Sequence, residues 1–188
     1  MPRLSEDIIK YTSKKEFRGF QKIRFDQFTK DVTDAYPFIF NENNINDLKD
    51  LYIHFEEPQR ATINSAGYDF FALQDFNLRP GESHKFPTGI KSFMPVNQGL
   101  FMFVRSSYGF KYNVRLVNQI GLIDSDYYNN PINDGHIWVK LENHGDKALK
   151  INRGDAIAQG VFLEVFRTHD DKPKNVQRTS GIGSTSKK

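Results

Sequence analysis

The chain of 188 residues has no cysteine. That absence removes disulfides, a thiolate nucleophile and any cysteine-ligated zinc or iron–sulfur centre. Histidine is sparse as well. His54, His84, His136, His144 and His169 are scattered, with no i, i+4 pair of the kind that holds zinc from one helix. No apolar run approaches the ~18 residues of a membrane-spanning helix. Met1–Lys10 lacks the apolar stretch of a signal peptide, so no membrane association and a cytoplasmic location are expected. A strong charge of one sign is also missing. Lys and Arg total 26 against 23 Asp and Glu, a net charge of +3. That is too small to argue for a nucleic-acid partner, yet compatible with a phosphate-bearing small molecule. With 13 Gly and 8 Pro, the chain is neither collagen-like nor of low complexity. What it does have is aromatic bulk, 17 Phe and 8 Tyr, enough to fill a core.

Residues 1–57 and the rest of the chain differ in texture. The first segment is charged and aromatic without a sustained period. One stretch, Asn44 to His54, places Ile45, Leu48, Leu51 and Tyr52 on one face of a short helix, with Asn43 or Asn44 as its cap. From about Pro58, short apolar or alternating runs are punctuated by Gly, Pro, Asn and Asp every 8–12 residues. That spacing predicts strands near 68–73, 84–86, 89–94, 100–105, 115–123, 137–143, 147–151 and 156–166, in an all-β sandwich or barrel. Residues 170–188 are polar and basic, without an apolar pattern, and read as a mobile tail.

Four places could carry chemistry. Arg105-Ser106-Ser107 closes an apolar strand and offers a guanidinium and two hydroxyls to phosphate oxygens, or else makes a surface turn. In Asn118-Gln-Ile-Gly121-Leu122-Ile123-Asp124-Ser-Asp-Tyr127, Gly121 inside a strand suggests a bulge or a close backbone approach. Asp124, after an apolar pair, can act as a general base toward water, or Asp-Ser-Asp can simply turn the chain. Gln159 interrupts an apolar run, and a buried amide needs a partner, either backbone or ligand. The tail from Arg178 through Gly183, Ser184 and Thr185 lacks the lysine and spacing of a P-loop but could close as a flap.

In this order on an all-β chain, these segments resemble the five motifs of the trimeric dUTP pyrophosphatases (dUTPases). Ser65-Ala-Gly-Tyr-Asp69, Arg105-Ser-Ser107, Gly121–Tyr127, Gly154–Gln159 and Arg178–Thr185 are similar to the first through fifth. The resemblance implies a distorted jelly-roll or β-barrel over 58–169, preceded by a mixed N-terminal insertion within 1–57 and followed by a flexible C-terminal tail over 170–188. It also implies hydrolysis of dUTP to dUMP and pyrophosphate, which removes dUTP and supplies dUMP for thymidylate synthesis. Under that resemblance Asp124 activates the water that attacks the α-phosphate. Asn118 with Gly121, Leu122 and Ile123 reads uracil, and Tyr127 lies against the deoxyribose. Arg105, Ser106, Ser107 and Gln159 hold the phosphates. Arg178, Gly183, Ser184 and Thr185 close over the β- and γ-phosphates. Mg²⁺ is chelated mainly by the triphosphate, with Asp69 in its outer shell. A homotrimer with shared sites follows from the same resemblance, with no nucleic acid required.

Departures accompany the likeness. Ile182 stands where the family commonly has a phenylalanine that stacks on uracil. Residues 128–135 form a longer loop than usual, and 57 residues precede the core. The related dCTP deaminases carry a glutamate where this chain has Lys140, and their hairpin pattern differs, which argues against deamination. A protein-binding regulator on a dUTPase scaffold is the other alternative, with residues 21–57 and the 128–135 loop as its contact surface.

Overall fold

The computed structural model describes residues 17–41 and 44–173. Among these, eleven strands pair throughout in antiparallel fashion. In chain order they are β1 (Gly19–Lys22), β2 (Tyr68–Phe71), β3 (Phe76–Leu78), β4 (Ser83–Pro87), β5 (Ile90–Phe93), β6 (Gln98–Val104), β7 (Val114–Leu116), β8 (Gly121–Asp124), β9 (Trp138–Asn143), β10 (Leu149–Ile151) and β11 (Ala156–Glu164). Three helices join them: α1 (Phe25–Ala35), α2 (Ile45–His54) and α3 (Ser106–Tyr112). None is long and apolar enough to cross a membrane. The strands form four small sheets, β1-β5, β10-β3, β2-β11-β6-β8 and β4-β9-β7. This is a jelly-roll-like β architecture: the spacing of turn signals predicts a sandwich or barrel, and the jelly roll is what the family resemblance implies.

The pleat accounts for the inside and outside of each sheet. In β9, Val139, Leu141 and Asn143 are buried while Lys140 is exposed, the alternation of a half-solvated strand. Asn143 is tolerated inside because its amide is satisfied: Nδ2 donates to the carbonyls of Leu78 (2.9 Å) and Lys147 (2.8 Å), and Oδ1 accepts from Gly145 N (2.9 Å). β6 and the first half of β11 are mostly buried, and β11 ends exposed at Leu163 and Glu164.

The N-terminal segment shares this core. β1 lies against β5, pairing Gly19 with Phe93 and Lys22 with Ile90. Phe28, Val32, Leu48 and Leu51 are buried in one cluster with Phe70, Phe86 and Ile90. Phe28 stacks on Phe55 (centroids 5.4 Å apart) and meets Tyr52 edge-on (5.1 Å). Of the segment's aromatics, Phe28, Tyr36 and Phe40 are buried, whereas Phe38 is 99% exposed.

The sequence expectations differ from the structure at several places, and they do not include the strands β1 and β3. The run 115–123 is two strands, β7 and β8, because residues 117–120 turn the chain. The strand expected to end at Arg105 stops at Val104, and Ser106-Ser107 opens α3 instead of a surface turn. α1 has an apolar face (Phe25, Phe28, Val32) but also buries Gln27 and Asp31, which hides its period. Asn44 does cap the turn before α2, but its side chain bonds Asn41 N and Ile39 O rather than the helix itself.

Two outcomes are expected. Phe28→Ala should lower the unfolding free energy by about 3–5 kcal/mol, against less than ~0.5 kcal/mol for Phe38→Ala, read by urea denaturation at fixed chain concentration. Burial holds both His84 and His136 below the usual imidazole range, with Glu82 and Asp31 opposing it. The unfolded chain therefore takes up protons that the native state resists, so stability rises with pH. Denaturation followed by Trp138, the single tryptophan, should show stability falling as pH drops from about 7 to 5; a flat profile contradicts this.

Candidate active site

β6 organises the candidate residues because it pairs on both edges. On one edge β11 sets Gln159 opposite Phe103. β11 in turn pairs with β2, setting Gln159 opposite Asp69. Arg105 follows directly from β6, and its Nε lies 3.5 Å from Asp69 Oδ1. Gly67 keeps room beside this group: a Cβ there would sit 2.6 Å from Gln159 Oε1. Asp69, Arg105 and Gln159 thus form one partly buried cluster of a cation, an anion and an amide, with the Ser106 and Ser107 hydroxyls in the adjoining first turn of α3. Buried Tyr108 anchors that helix, its hydroxyl pushed up to about 12 by burial, with Asp155 adding to the effect.

The other edge of β6 carries β8, which follows β7 across a tight corner without pairing with it, since β7 pairs with β9 in a different sheet. β7 and β8 are joined by a tight turn in which Ile120 N donates to Asn118 O (2.6 Å). Gln119 sits at φ +60°, a left-handed position that a non-glycine residue adopts only under constraint. Gly121 is buried against Met102, where a Cβ would approach within 3.0 Å. Leu122 is exposed and Ile123 half-buried. Asp124 ends β8 opposite Gly99, and a 3₁₀ turn, Ser125–Tyr127, follows. Tyr127 is buried. Its hydroxyl donates to His136 O (3.0 Å) and accepts from Asn133 Nδ2 (2.7 Å).

The two groups do not meet within one chain. Asp124 faces Gly99, while Arg105 is six residues further along the same strand, about 20 Å at the rise of an extended chain. The structure therefore brings together Asp69, Arg105, Ser106, Ser107 and Gln159. It brings Asn118, Gly121, Leu122, Ile123, Asp124 and Tyr127 together separately. Arg178, Gly183, Ser184 and Thr185 lie outside the described residues, as does Ile182. Among the described residues no group of three or more His, Asp or Glu side chains could hold a metal. A cavity of about 600 Å³ between α1 and the β4–β9 strands, lined by Lys30, Lys85, Trp138 and Lys140 among others, contains none of these candidates.

The profile of the dUTPase family matches residues 54–186. A deoxyuridine 5'-triphosphate nucleotidohydrolase of Lactococcus lactis is 40% identical over 129 residues, covering 68% of this chain and 86% of the relative.

The chain belongs to the dUTPase family.

The dUTPase of Streptococcus mutans superposes with a TM-score of 0.55 at 36% identity, over 61% of this chain and 92% of that one. A Staphylococcus aureus phage phi11 dUTPase, described with a structural Mg(II) ion, shares the fold at 16% identity, with a TM-score of 0.56 over 87% of this chain. The profile match begins at residue 54, so β1, α1 and most of α2 precede it.

Sequence reasoning passed over what holds Tyr127 in place. Asn130, Asn133, Asp134 and His136 follow it closely, and that run of polar residues was the signal available. The loop they form closes on itself: Asn130 Nδ2 donates to Tyr127 O (3.0 Å) and Asn133 Oδ1 (2.6 Å), while Asn130 Oδ1 accepts from Asn133 N (3.1 Å). Gly135, at φ +78°, lets it close, since a Cβ would lie 2.8 Å from Tyr127 O and 2.9 Å from Asn129 N, both backbone atoms. Gly135→Ala should therefore destabilise this dUTPase-family chain by about 2–4 kcal/mol, more than Gly154→Ala, where φ is +85° but no atom lies within 4 Å. Equal losses by denaturation would show that the close approach is unimportant.

Proposed function

We propose that this chain hydrolyses dUTP to dUMP and pyrophosphate, in a homotrimer whose sites are each shared between subunits. The observation that supports this most directly is the separation along β6 of Arg105 from Asp124. A base and a phosphate clamp about 20 Å apart cannot serve one triphosphate unless the Asp69–Arg105–Gln159 cluster of one copy faces β8 of another. Exposed Phe110 on α3, with exposed Val117 and Ile120 on the β7–β8 turn and Leu122 on β8, gives such a contact apolar surface to cover.

In this reading the Asp124 carboxylate takes a proton from a water molecule. The water oxygen attacks the α-phosphorus, the bond from that phosphorus to its bridging oxygen breaks, and pyrophosphate leaves. Such a displacement needs positioning and charge neutralisation, not a covalent nucleophile, which suits a chain without cysteine. Arg105, Ser106, Ser107 and Gln159 hold the phosphates, and Arg178 with Gly183, Ser184 and Thr185 closes over them. The β8 backbone at Gly121–Ile123, with Asn118, reads uracil. Cytosine there would leave polar groups unpaired, which discriminates more strongly than a lost apolar contact. The Tyr127 ring lies against the sugar.

Mg²⁺ fits this site only as a partner of the substrate. Asp69 is a single carboxylate beside a guanidinium, which suits a hard cation bound chiefly through triphosphate oxygens. When bound, it neutralises phosphate charge. Removal of dUTP, supply of dUMP and a cytoplasmic setting follow from the same reading. Deamination of dCTP is less well supported, because Lys140 is an exposed residue of β9 paired opposite Lys85. A protein-binding role for the N-terminal segment is also less supported, since Phe28, Tyr36, Phe40 and Phe55 are buried in the chain's own core and Phe20, Phe25 and Tyr52 pack against it.

Asp124→Asn should reduce pyrophosphate release from dUTP by about 10²–10⁴-fold with dUTP binding retained. Chains carrying Arg105→Ala should be similarly inactive. Unfolded together and reassembled, equal amounts of the two variants should recover about a quarter of wild-type activity, as random mixing in a ring with shared sites requires. No recovery would mean that each site is built from one chain.

A further inference from the structure

The N-terminal segment is tied to the loop after Tyr127 at three points. Tyr128 Oη donates to Gln21 Oε1 (2.6 Å). Asp134, nearly buried, accepts from Arg24 N (2.7 Å) and from Lys91 Nζ (3.0 Å). Asp31 of α1 meets the fully buried His136, Oδ2 to Nδ1, at 2.6 Å. The other ring nitrogen, Nε2, accepts from Gly89 N (2.8 Å). Those partners fix the tautomer: Nε2 is the acceptor, so Nδ1 carries the proton and donates it to Asp31.

The last tie leads back to Tyr127. The carbonyl of the same His136 accepts the Tyr127 hydroxyl, and Asn133 Nδ2 donates to that hydroxyl. A chain of contacts therefore runs from α1 through Asp31 and both the ring and carbonyl of His136 to the Tyr127 ring. α1 precedes the residues matched by the family profile, so this buttress comes from the part of the chain outside that match. Its chemistry is unusual for simple packing. A buried carboxylate–imidazole pair is a poor way to gain stability, because desolvation offsets most of the attraction. Such a network does impose one geometry, since any displacement leaves a buried polar group unpaired.

We propose that Asp31 is a positioning residue that, through His136, holds the Tyr127 ring where it excludes a 2'-hydroxyl, so that the N-terminal helix helps to set the preference for deoxyribonucleotides. This rests on the placement of Tyr127 against the sugar given above.

The experiment compares kcat and KM for dUTP and UTP in the wild-type chain, Asp31→Ala, Asp31→Asn and Tyr127→Phe. Asp31→Ala should lower the dUTP-to-UTP ratio of kcat/KM roughly tenfold, through better use of UTP as well as a raised KM for dUTP. Asp31→Asn keeps an oxygen that can accept from Nδ1 and should restore most of the ratio. Tyr127→Phe leaves α1 intact and cuts the link at the hydroxyl, so it should lower the ratio as Asp31→Ala does. The double variant should lose little more than either single one, because the two act along one chain of contacts. If Asp31→Ala reduces only thermal stability while the ratio stands, the positioning role is overturned. Should that variant fail to fold, an unchanged ratio in Tyr127→Phe overturns it equally. A wild-type chain that hydrolyses dUTP and UTP alike removes the underlying reading of the sugar site, and the proposal with it. A wild-type chain that discriminates, beside variants that discriminate equally well, sinks the proposal alone.

Discussion

β6 is hydrogen-bonded along both edges, to β11 on one side and β8 on the other, and this double pairing governs the rest. Antiparallel register leaves no freedom: a slip of one residue would turn every side chain of a strand to the opposite face. With Gly99 opposite Asp124 and Phe103 opposite Gln159, the acidic end of β8 and the Arg105 cluster are held at opposite ends of one strand. No side-chain rotation can close that gap. In the proposed reading, a site that needs both is completed by another copy of the chain, and the separation becomes a reason for assembly instead of a defect of the monomer.

The strands were legible because their signals are local. β9 alternates in its sequence as it does in its burial, and turns at 79–82 and 152–155 are marked by Pro-Gly and by Gly-Asp. The candidate residues were legible in the same way, through short segments in a fixed order. What was not legible depends on distant partners. α1 has Phe25, Phe28 and Val32 at helical spacing, yet Gln27 and Asp31 are buried beside them. A sequence reading places such polar residues in solvent. Only His136, 105 residues later, explains why Asp31 faces inward. β1 and β3 are short strands with single partners, so pairing, not propensity, makes them strands. The distance between Asp124 and Arg105 is likewise invisible in the sequence, because it follows from register alone.

The N-terminal segment is better seen as part of the core than as an addition to it. Its first strand extends β5, and its helices bury Phe28, Leu48 and Leu51 among residues of the sheets. Apolar burial of that kind would anchor the segment without any ion pair. The buried contacts of Asp31, Asp134, Lys91 and His136 are therefore surplus to anchoring. They all converge on the 128–136 loop and none on the sheets' apolar faces. Groups that cost desolvation to bury and add little net stability are best understood by what they hold still.

The two halves of the proposed site are built to different standards, and electrostatics explains why. The Asp69–Arg105–Gln159 cluster is only partly buried, with one ion pair at 3.5 Å. Attraction between a guanidinium and a polyphosphate falls off slowly with distance, so small displacements there change binding little. Recognition of a sugar by exclusion obeys a far steeper law, since a gap of half an ångström decides whether an extra oxygen fits. The residue assigned to that task, Tyr127, is correspondingly buried, bonded through its hydroxyl on two sides, and followed by a loop in which Asn130, Asp134 and His136 are all buried and bonded. Rigidity is concentrated where the interaction is short-ranged, and looser packing is left where charge acts at a distance.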